Sequence, residues 1–368
     1  MKRILCIMQL PPPIHGASLM NSYLSKSNII NDNFDTQIIN LQFAPSLKEL
    51  EKFSFLKIFK SINYAFVIFK KIIKFKPDLV YFTLSISGYA FYRDAIYVSI
   101  LKLCGSKILF HLHGKGIKKE SEKSILKRNL YKFVFKNTYV ICLAKNLTED
   151  IKSVYSSVPF IVPCGIPVYS KSTQKTSKPN KVVQILYLSN YIENKGILKL
   201  IDALKILKDQ EFIFNARLAG GPTDLSIATI ENYIRERNLE NCVHVIGPRY
   251  GEDKYNEFLA ADIFVFPTFY GNEAFPLVNL EAMQFALPVL STNEGGISEA
   301  VINGVTGFVV EPRNIQQLAD KLALLIYNEN LRDGMGTKGK DRFFKNYTIQ
   351  HFEHNIKNVF NTILKTEA

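Results

Sequence analysis

Short apolar runs alternate with longer amphipathic segments along the first half of the chain. The short runs are rich in β-branched and aromatic residues, which favours strands, whereas the longer segments show helical periodicity. This alternation is typical of a parallel sheet covered by helices on both faces. The predicted strands are Ile4–Leu10, Gln37–Leu41, Leu79–Leu84, Ile108–His113, Tyr139–Leu143 and Phe160–Val162, and the predicted helices lie near 48–75, 90–103, 121–136 and 146–155.

The same alternation restarts after residues 170–181, which are polar and are predicted to form a linker. The sequence thus predicts an N-terminal domain over 1–169, a C-terminal domain over 182–345, and a final helix over 346–368 that packs back toward the N-terminal domain. Two such Rossmann-like α/β domains would face each other across a cleft, with ligands beyond the carboxyl ends of the strands. The strands predicted for the second half are Val182–Leu188, Phe212–Leu218, Val243–Ile246, Ile263–Phe266, Val289–Ser291 and Phe308–Val310, followed by helical sequence from about Ile315.

The positive charge of the chain is confined to its first half. The 368 residues are enough for about two domains of ~150 residues each, and their formal net charge is +13. Residues 1–170 contain 24 Lys and Arg against 10 Asp and Glu, whereas residues 171–368 contain 22 against 23. An acidic partner is therefore expected for the N-terminal domain alone, and nucleic acid, an anionic membrane surface and a phosphorylated substrate are all compatible with it.

The cysteines and the apolar runs favour a cytoplasmic protein. The five cysteines lie far apart and none forms a Cys-x-x-Cys pair, so neither a disulfide framework nor a zinc site is predicted. The first apolar run stops at Pro11, and no clear cleavage site follows it. No uncharged run reaches the ~20 residues of a membrane span.

A loop and a following helix at 269–282 carry the strongest functional pattern of the chain. The helix is predicted to begin at Pro276, because proline suits the first helical position. The backbone N–H groups of Phe275, Leu277 and Val278 would then have no acceptor within the helix. They could bind a diphosphate, helped by the helix dipole.

Two glutamates accompany this predicted helix start, Glu273 in the loop and Glu281 on the helix. A carboxylate at Glu281 could accept hydrogen bonds from the hydroxyls of a ribose. Acidic residues are also common at the start of ordinary surface helices. Spacing alone therefore supports a nucleotide site and an ordinary helix equally.

The segment from Phe269 to Glu299 resembles the Glu-x7-Glu region of the family-4 retaining glycosyltransferases. Ala261–Pro267 is similar to the strand before that region, and Glu281–Val289 resembles the family's Glu-Ala-Met-Ala-x-Gly-x-Pro-Val stretch. The resemblance implies the GT-B fold of two facing Rossmann-like domains, a nucleoside-diphosphate-sugar donor, no cofactor and no metal at the site. It also implies that Glu281 binds the donor ribose.

A second loop, which follows the first strand of the C-terminal domain, resembles the family's phosphate-binding loop. In the family this loop commonly reads Gly-Arg and then, five residues after the Arg, Lys-Gly; the Arg and the Lys neutralise the donor diphosphate. Lys195 matches the lysine, while Asn190 stands where the arginine is usual. An amide donates a hydrogen bond without a charge, so full neutralisation would require Arg249 or a lysine of the N-terminal domain.

Two strand ends of the N-terminal domain carry glycine and histidine. A glycine at Gly16 would let a ligand approach the backbone closely, and the resemblance places it near the donor phosphates or sugar. His111 and His113 share one face of their strand; His113 matches the family histidine that faces the transferred sugar or the acceptor, and a metal pair is the alternative. The lysines that could meet an acceptor phosphate are Lys115, Lys118 and Lys119.

Residues 53–76 predict a helix rich in phenylalanine, isoleucine and lysine. Such a helix could lie on an anionic bilayer, with Lys70 and Lys71 among the lysines near the lipid head groups. It could equally be an ordinary helix that places its apolar side on the sheet and its lysines in water.

These features together predict a retaining, metal-independent hexosyltransferase with Glu273 and His113 as its catalytic residues. The basic N-terminal domain and the resemblance indicate a polyprenyl-diphosphate-linked saccharide acceptor at the inner face of the membrane, in the synthesis of O-antigen (lipopolysaccharide), capsule or another bacterial surface polysaccharide. One alternative is a sugar-nucleotide 2-epimerase of the same architecture. Another is a basic nucleic-acid-binding protein, although no motif that reads nucleic acid is present and no nucleic-acid partner is expected.

Overall fold

The computed structural model describes residues 1–43, 55–170 and 182–365. The chain divides into two compact units: the first unit comprises residues 1–165 with the C-terminal helix, and the second comprises 166–348. Each unit is a six-stranded parallel sheet with flanking helices, which confirms the predicted α/β class with two Rossmann-like units. Residues 171–181 of the predicted linker and residues 48–54 of a predicted helix lie outside the described residues.

The first unit is built on a sheet of strand order β2-β1-β3-β4-β5-β6. Its central strands are buried on both faces, with all four residues of Leu79–Phe82 below a tenth exposed, as expected of parallel strands that read as continuous apolar runs. The strands are β1 (Lys2–Met8), β2 (Phe34–Asn40), β3 (Leu79–Phe82), β4 (Ile108–Leu112), β5 (Tyr139–Cys142) and β6 (Phe160–Ile161). The α-helices are α1 (Gly16–Ser25), α2 (Asn28–Asn31), α3 (Phe55–Phe75), α4 (Gly88–Leu103), α5 (Ile117–Ser121), α6 (Ile125–Phe135) and the C-terminal α14 (Ile349–Lys365).

The C-terminal helix α14 packs on the first unit through aromatic contacts. The ring of Phe360 meets those of Phe34 and Tyr81 edge to face, with centroids 5.5 and 5.8 Å apart. Phe352 stacks on His111 with centroids 6.2 Å apart. These contacts cover part of one face of the first sheet.

The second unit is built on a sheet of strand order β12-β11-β10-β7-β8-β9. The order reverses between β7 and β10, and ligands of open parallel sheets bind at such a switch point. The strands are β7 (Val183–Leu188), β8 (Phe214–Ala219), β9 (Val243–Gly247), β10 (Ile263–Phe266), β11 (Val289–Thr292) and β12 (Gly307–Val310). The α-helices are α7 (Ile197–Asp209), α8 (Ile227–Arg235), α9 (Gly251–Ala260), α10 (Leu277–Gln284), α11 (Ile297–Ala300), α12 (Ile315–Tyr327) and α13 (Glu329–Asn346).

Several predicted element boundaries differ from the structure for local reasons. The helix expected over 121–136 begins only at Ile125, because Ser124 caps it by accepting a hydrogen bond from Lys127 N at 3.1 Å. The expected helix at 146–155 is a short 3₁₀ turn, Asn146–Asp150. Pro276 is the residue before α10 and not its first residue, since its ψ of 116° is extended.

Candidate functional site

The loops that follow β7 and β10 are joined at the switch point of the second sheet. Asn194 O accepts hydrogen bonds from Phe269 N at 2.8 Å and from Thr268 Oγ1 at 3.4 Å. Gly196 allows the two loops to touch: its φ is +85°, and a Cβ there would lie 2.0 Å from Pro267 O. The residues predicted for the diphosphate site therefore share one hydrogen-bonded substructure.

Lys195 and Glu273 form an ion pair in this substructure. The two side chains are only 16% and 10% exposed. The Lys195 ammonium also lies 5.4 Å from the ring centroid of Phe266 and 4.9 Å from that of Tyr270. A cation held by a carboxylate and two aromatic faces in a poorly hydrated position is ready to bind an anion without reorganising.

The start of α10 lies on the same loop as Glu273. Its first N–H groups, at Leu277 and Val278, have no acceptor within the helix, while the side chain of Phe275 is buried. The segment after β11 fixes this loop, because Gly296 N donates to Ala274 O at 2.6 Å. A Cβ on Gly295 would lie 2.3 Å from Glu273 O.

Glu281 carries a partner that the sequence did not reveal. Lys254 Nζ donates to Glu281 Oε1 at 2.5 Å, and both side chains are partly buried. The two residues lie on different helices, α9 and α10, so no sequence spacing indicates the pair. The carboxylate expected to bind a ribose is thus held by an ammonium.

Arg249 was one candidate to supply the positive charge that Asn190 lacks. Its guanidinium is instead paired with Glu257, with Nε 3.3 Å from Glu257 Oε1. Arg217 binds the same carboxylate with two hydrogen bonds, of 2.6 and 2.8 Å. Burial raises the pKa of Glu257, but the two guanidinium groups outweigh it and lower that pKa overall. Asn190 itself lies at the end of β7, beside Gly221.

In the first unit, Gly16 is the first residue of α1 and follows the cap residue His15. His15 Nδ1 accepts from Ser18 N at 3.4 Å, and Ser18 Oγ accepts from His15 N at 3.0 Å. Gly16 itself is exposed, has no positive φ, and a Cβ there would meet no atom within 4 Å. Packing within the first unit therefore does not require a glycine at this position.

His111, in β4, and His113, just after the end of that strand, form a close pair of tilted rings. The rings of His111 and His113 lie 4.1 Å apart between centroids, and Tyr81 Oη shares a hydrogen bond of 2.5 Å with His111 Nδ1. Nε2 of each histidine is buried and has no hydrogen-bond partner among the described residues. Burial, and secondarily the field of His15, lowers the pKa of His113 to about 3, so its imidazole is neutral at physiological pH.

The three lysines predicted for acceptor binding lie at the start of α5. Asp150 accepts hydrogen bonds from Gly116 N, Ile117 N and Lys118 N at 2.8, 2.9 and 3.2 Å. The N–H groups of this helix start are thus taken by a carboxylate of the chain itself. Lys118 and Lys119 are exposed, so a phosphate there would meet side chains and not backbone N–H groups.

The histidine pair leads to a prediction on acid stability. Unfolded His113 would bind a proton near pH 6.5, whereas folded His113 binds one only near pH 3. The unfolded state therefore binds more protons between these values, and stability is greatest above pH 6.5 and falls as the pH is lowered toward 3, by ~1.4 kcal/mol per pH unit for such a histidine. Urea unfolding at a series of pH values measures this slope.

The variant His113→Asn is expected to flatten that dependence. The exposed His244, replaced by Asn in the same way, is the matched control. An unchanged dependence of stability on pH in His113→Asn would contradict the assignment of that dependence to His113.

Neither a metal cluster nor a spanning helix is found in the parts of the chain that are described. Over residues 1–43, 55–170 and 182–365, no three or more His, Cys, Asp or Glu side chains are grouped in a way that could hold a metal ion. Within the same ranges, every helix is too short or too polar to cross a bilayer.

A chain of two Rossmann-like units, with its candidate site residues in the loops that follow the strands, has the fold class called GT-B. Solved structures of this class match nearly the whole chain. The structure of Anabaena Alr3699/HepE in complex with UDP-glucose covers 98% of this chain and 99% of its own, with a TM-score of 0.73 and 20% identity. Residues 169–342 match the family described as glycosyl transferases group 1. The match confirms the resemblance seen in the sequence.

Curated relatives match the chain to different extents. The capsular polysaccharide biosynthesis glycosyltransferase CapM of Staphylococcus aureus is 31% identical over 182 residues, which are 49% of this chain and 46% of the relative. An uncharacterized glycosyltransferase of Methanocaldococcus jannaschii is 26% identical over 315 residues, or 83% of this chain and 82% of the relative. The chain thus spans about half the length of the capsular relative and most of the archaeal one.

Proposed function

We propose that the protein is a retaining glycosyltransferase that moves a hexose-type sugar from a nucleoside-diphosphate sugar to a saccharide acceptor in bacterial surface polysaccharide synthesis. The observation that carries the proposal is the Lys195–Glu273 ion pair beside the start of α10, at the switch point of the second sheet. The family match over 169–342 supports the class of reaction. HepE, which shares the fold, binds UDP-glucose.

The second unit supplies the groups that stabilise the leaving diphosphate in this proposal. When the bond between the sugar and the donor phosphate breaks, negative charge develops on the departing oxygen. Lys195 and the N–H groups of Leu277 and Val278 are positioned to stabilise that charge. In many enzymes, preorganised hydrogen-bond donors in a poorly hydrated site make the largest single contribution to the rate enhancement. Glu273 orients Lys195 and accepts hydrogen bonds from sugar hydroxyls.

Glu281 binds the ribose of the donor, and Lys254 fixes its carboxylate for that purpose. The 2.5 Å contact leaves one carboxylate oxygen, Oε2, for the ribose hydroxyls. The pair therefore acts as a rigid acceptor of hydrogen bonds and not as a mobile surface acid. No metal or cofactor takes part in the proposed scheme.

The first unit supplies the sugar and acceptor side. Gly16 leaves open space at the start of α1, so the donor phosphates or sugar can approach the backbone there. His113 presents an unpartnered neutral imidazole nitrogen to the transferred sugar or the acceptor. The excess of Lys and Arg in residues 1–170 favours an acidic acceptor, and a polyprenyl-diphosphate-linked saccharide provides that charge.

A panel of UDP-, GDP- and dTDP-sugars tests the proposal, first by thermal shift and then by transfer. A donor at a hundred times its Kd stabilises the fold by ~2.7 kcal/mol, or roughly 5 °C or more in Tm. The same donor should then pass labelled sugar to lipid-linked saccharide. Gly16→Val is expected to keep the wild-type Tm, since no atom lies within 4 Å of the added Cβ, but to lose transfer.

Two outcomes would count against the proposal. Release of an altered free sugar nucleotide without any acceptor would indicate the 2-epimerase. Stabilisation by no member of the panel, together with salt-sensitive binding of nucleic acid, would indicate the nucleic-acid-binding alternative.

A further inference from the structure

Helix α3 has two apolar sides, and only one of them is buried. Ile68, Ile72 and Phe75 are its buried residues. A second set of large apolar side chains is exposed along the whole length of the helix, from Phe55 at 75% to Ile73 at 56%. An isolated exposed apolar residue is ordinary, but a continuous exposed patch marks an interaction surface.

The exposed set is a regular stripe on one side of the helix. Its members follow one another at intervals of four, three, four, three and four residues, which keeps them on one side of an α-helix. They are Phe55, Phe59, Ile62, Phe66, Phe69 and Ile73. We call this set the α3 stripe.

The two neighbouring helices extend the surface. Helix α3 packs beside α4, and α4 packs beside α6. Helix α3 connects β2 to β3, α4 connects β3 to β4, and α6 lies between β4 and β5. Because connections between parallel strands are right-handed, these three helices lie on the same face of the first sheet. Their exposed apolar residues include Tyr89, Tyr92 and Ile96 on α4 and Ile125 and Leu126 on α6.

The charge around the α3 stripe is entirely positive. Residues 55–77 contain no Asp or Glu, and α3 alone carries five lysines. Lys70 and Lys74 are exposed, whereas Lys71 Nζ donates to Gln37 Oε1 at 2.6 Å and so lies against the edge strand β2. The stripe is therefore flanked by cations that can reach an anionic surface.

The charge pattern distinguishes between the occupants that such a stripe could have. A second copy of the chain paired through this stripe would place the same patch against itself, because a two-fold interface is self-complementary. Its lysines would then face lysines with no acidic residue of α3 to pair with them. An anionic bilayer accepts the aromatic side chains and neutralises the lysines at the same time.

We propose that the α3 stripe is a membrane anchor that lies in the plane of an anionic lipid bilayer, with the exposed residues of α4 and α6 completing the contact. Parallel strands end at one edge of a sheet, and the helices that leave those ends begin there. The first turns of α3, α4 and α6 thus share the edge that carries Gly16 and His113. Docking by this face would hold that edge close to the lipid head groups.

The anchor itself is independent of the proposed transfer, but its value for a lipid-linked acceptor rests on the proposed function. The test is flotation of the full chain with vesicles of phosphatidylcholine alone and with vesicles of equal parts phosphatidylcholine and phosphatidylglycerol. Wild-type protein should bind the anionic vesicles and lose much of that binding at high salt. Phe59→Ser with Phe66→Ser should lower the partition coefficient at least about tenfold.

Matched control variants separate the contributions of the apolar side chains and of the lysines to vesicle binding. Tyr327→Ser with Val158→Ser removes two side chains that are 88% and 90% exposed elsewhere, and it should leave binding unchanged. Lys70→Gln with Lys74→Gln should weaken binding to anionic vesicles by about tenfold and leave the neutral ones unaffected. Lys338→Gln with Lys357→Gln is its charge control.

Three results would overturn the anchor. These are no binding of wild-type protein to anionic vesicles, a lipid-free dimer that Phe59→Ser with Phe66→Ser dissociates, and a large fall in the Tm of that variant, which would mean that the stripe packs inside the protein. Donor binding by thermal shift is measured on the same samples. A protein that binds donor but no vesicle refutes the anchor alone, whereas one that binds vesicles but no donor of the panel refutes the proposed function alone.

Discussion

Replacement of Lys195 by methionine is expected to lower kcat/KM for sugar transfer by about 100- to 1,000-fold, the effect of removing one preorganised donor from a developing anion. Methionine keeps the length and most of the apolar contact of the lysine stem with Phe266 and Tyr270. The loss would therefore report the ammonium and not the packing. Initial rates with saturating acceptor measure it.

The partner of Lys195 needs its own control, because Lys195→Met leaves the Glu273 carboxylate poorly hydrated and unpaired. A lone carboxylate in that position destabilises the fold whatever its role in transfer. Adding Glu273→Gln removes the charge and should restore most of the Tm without restoring the rate. Lys199→Met, which removes a more exposed lysine paired with Asp202 on α7, should leave transfer nearly unchanged. Near wild-type transfer by the double variant would refute the diphosphate site.

Gly196→Ala is expected to lower the free energy of unfolding by about 2–4 kcal/mol, through left-handed backbone strain and overpacking together. The added Cβ would lie 2.0 Å from Pro267 O, and that backbone oxygen cannot rotate away. Relief requires the loops after β7 and β10 to separate, which moves Lys195 away from Glu273. The Tm should fall by roughly 5–10 °C, and transfer should be lost even in the fraction that stays folded.

Gly304→Ala separates the two causes. Gly304 also has a left-handed backbone, with φ of +75°, but a Cβ there would meet no atom within 4 Å. It lies in the same unit, so the cost of the backbone conformation alone, about 1 kcal/mol, is expected. Equal destabilisation by the two substitutions would show that contact with Pro267 does not hold the loops together. Thermal unfolding followed by circular dichroism is sufficient.

The alternation of apolar runs was enough to predict the α/β class and most strands, because parallel strands are buried on both faces and read as unbroken apolar segments. It could not predict the strand orders, which depend on pairing between distant segments. The start of α6 was predicted at 121 and not at Ile125, since Ser124 marks the helix start only through its capping geometry. Propensity and periodicity thus define elements better than they define their ends.

The candidate site could be predicted as residue types but not as pairs. Glu273 and Lys195 were found by resemblance, yet their ion pair joins residues 78 positions apart. The sequence does not indicate Lys254 for the same reason, because nothing in α9 distinguishes it from other surface lysines. The lowered pKa of His113 follows from its burial and, secondarily, from the field of His15, which alternation alone does not reveal.

The contact of Gly295 and Gly296 with the carbonyl groups of Glu273 and Ala274 has a consequence for engineering. Any side chain at Gly295 would displace the loop that begins α10, so a library built to change donor choice is expected to return glycine there in every active clone. Asn190 lies at a strand end without such a restraint. Tolerated diversity, and with it any natural drift in donor preference, should therefore accumulate at Asn190 while Gly295 stays invariant.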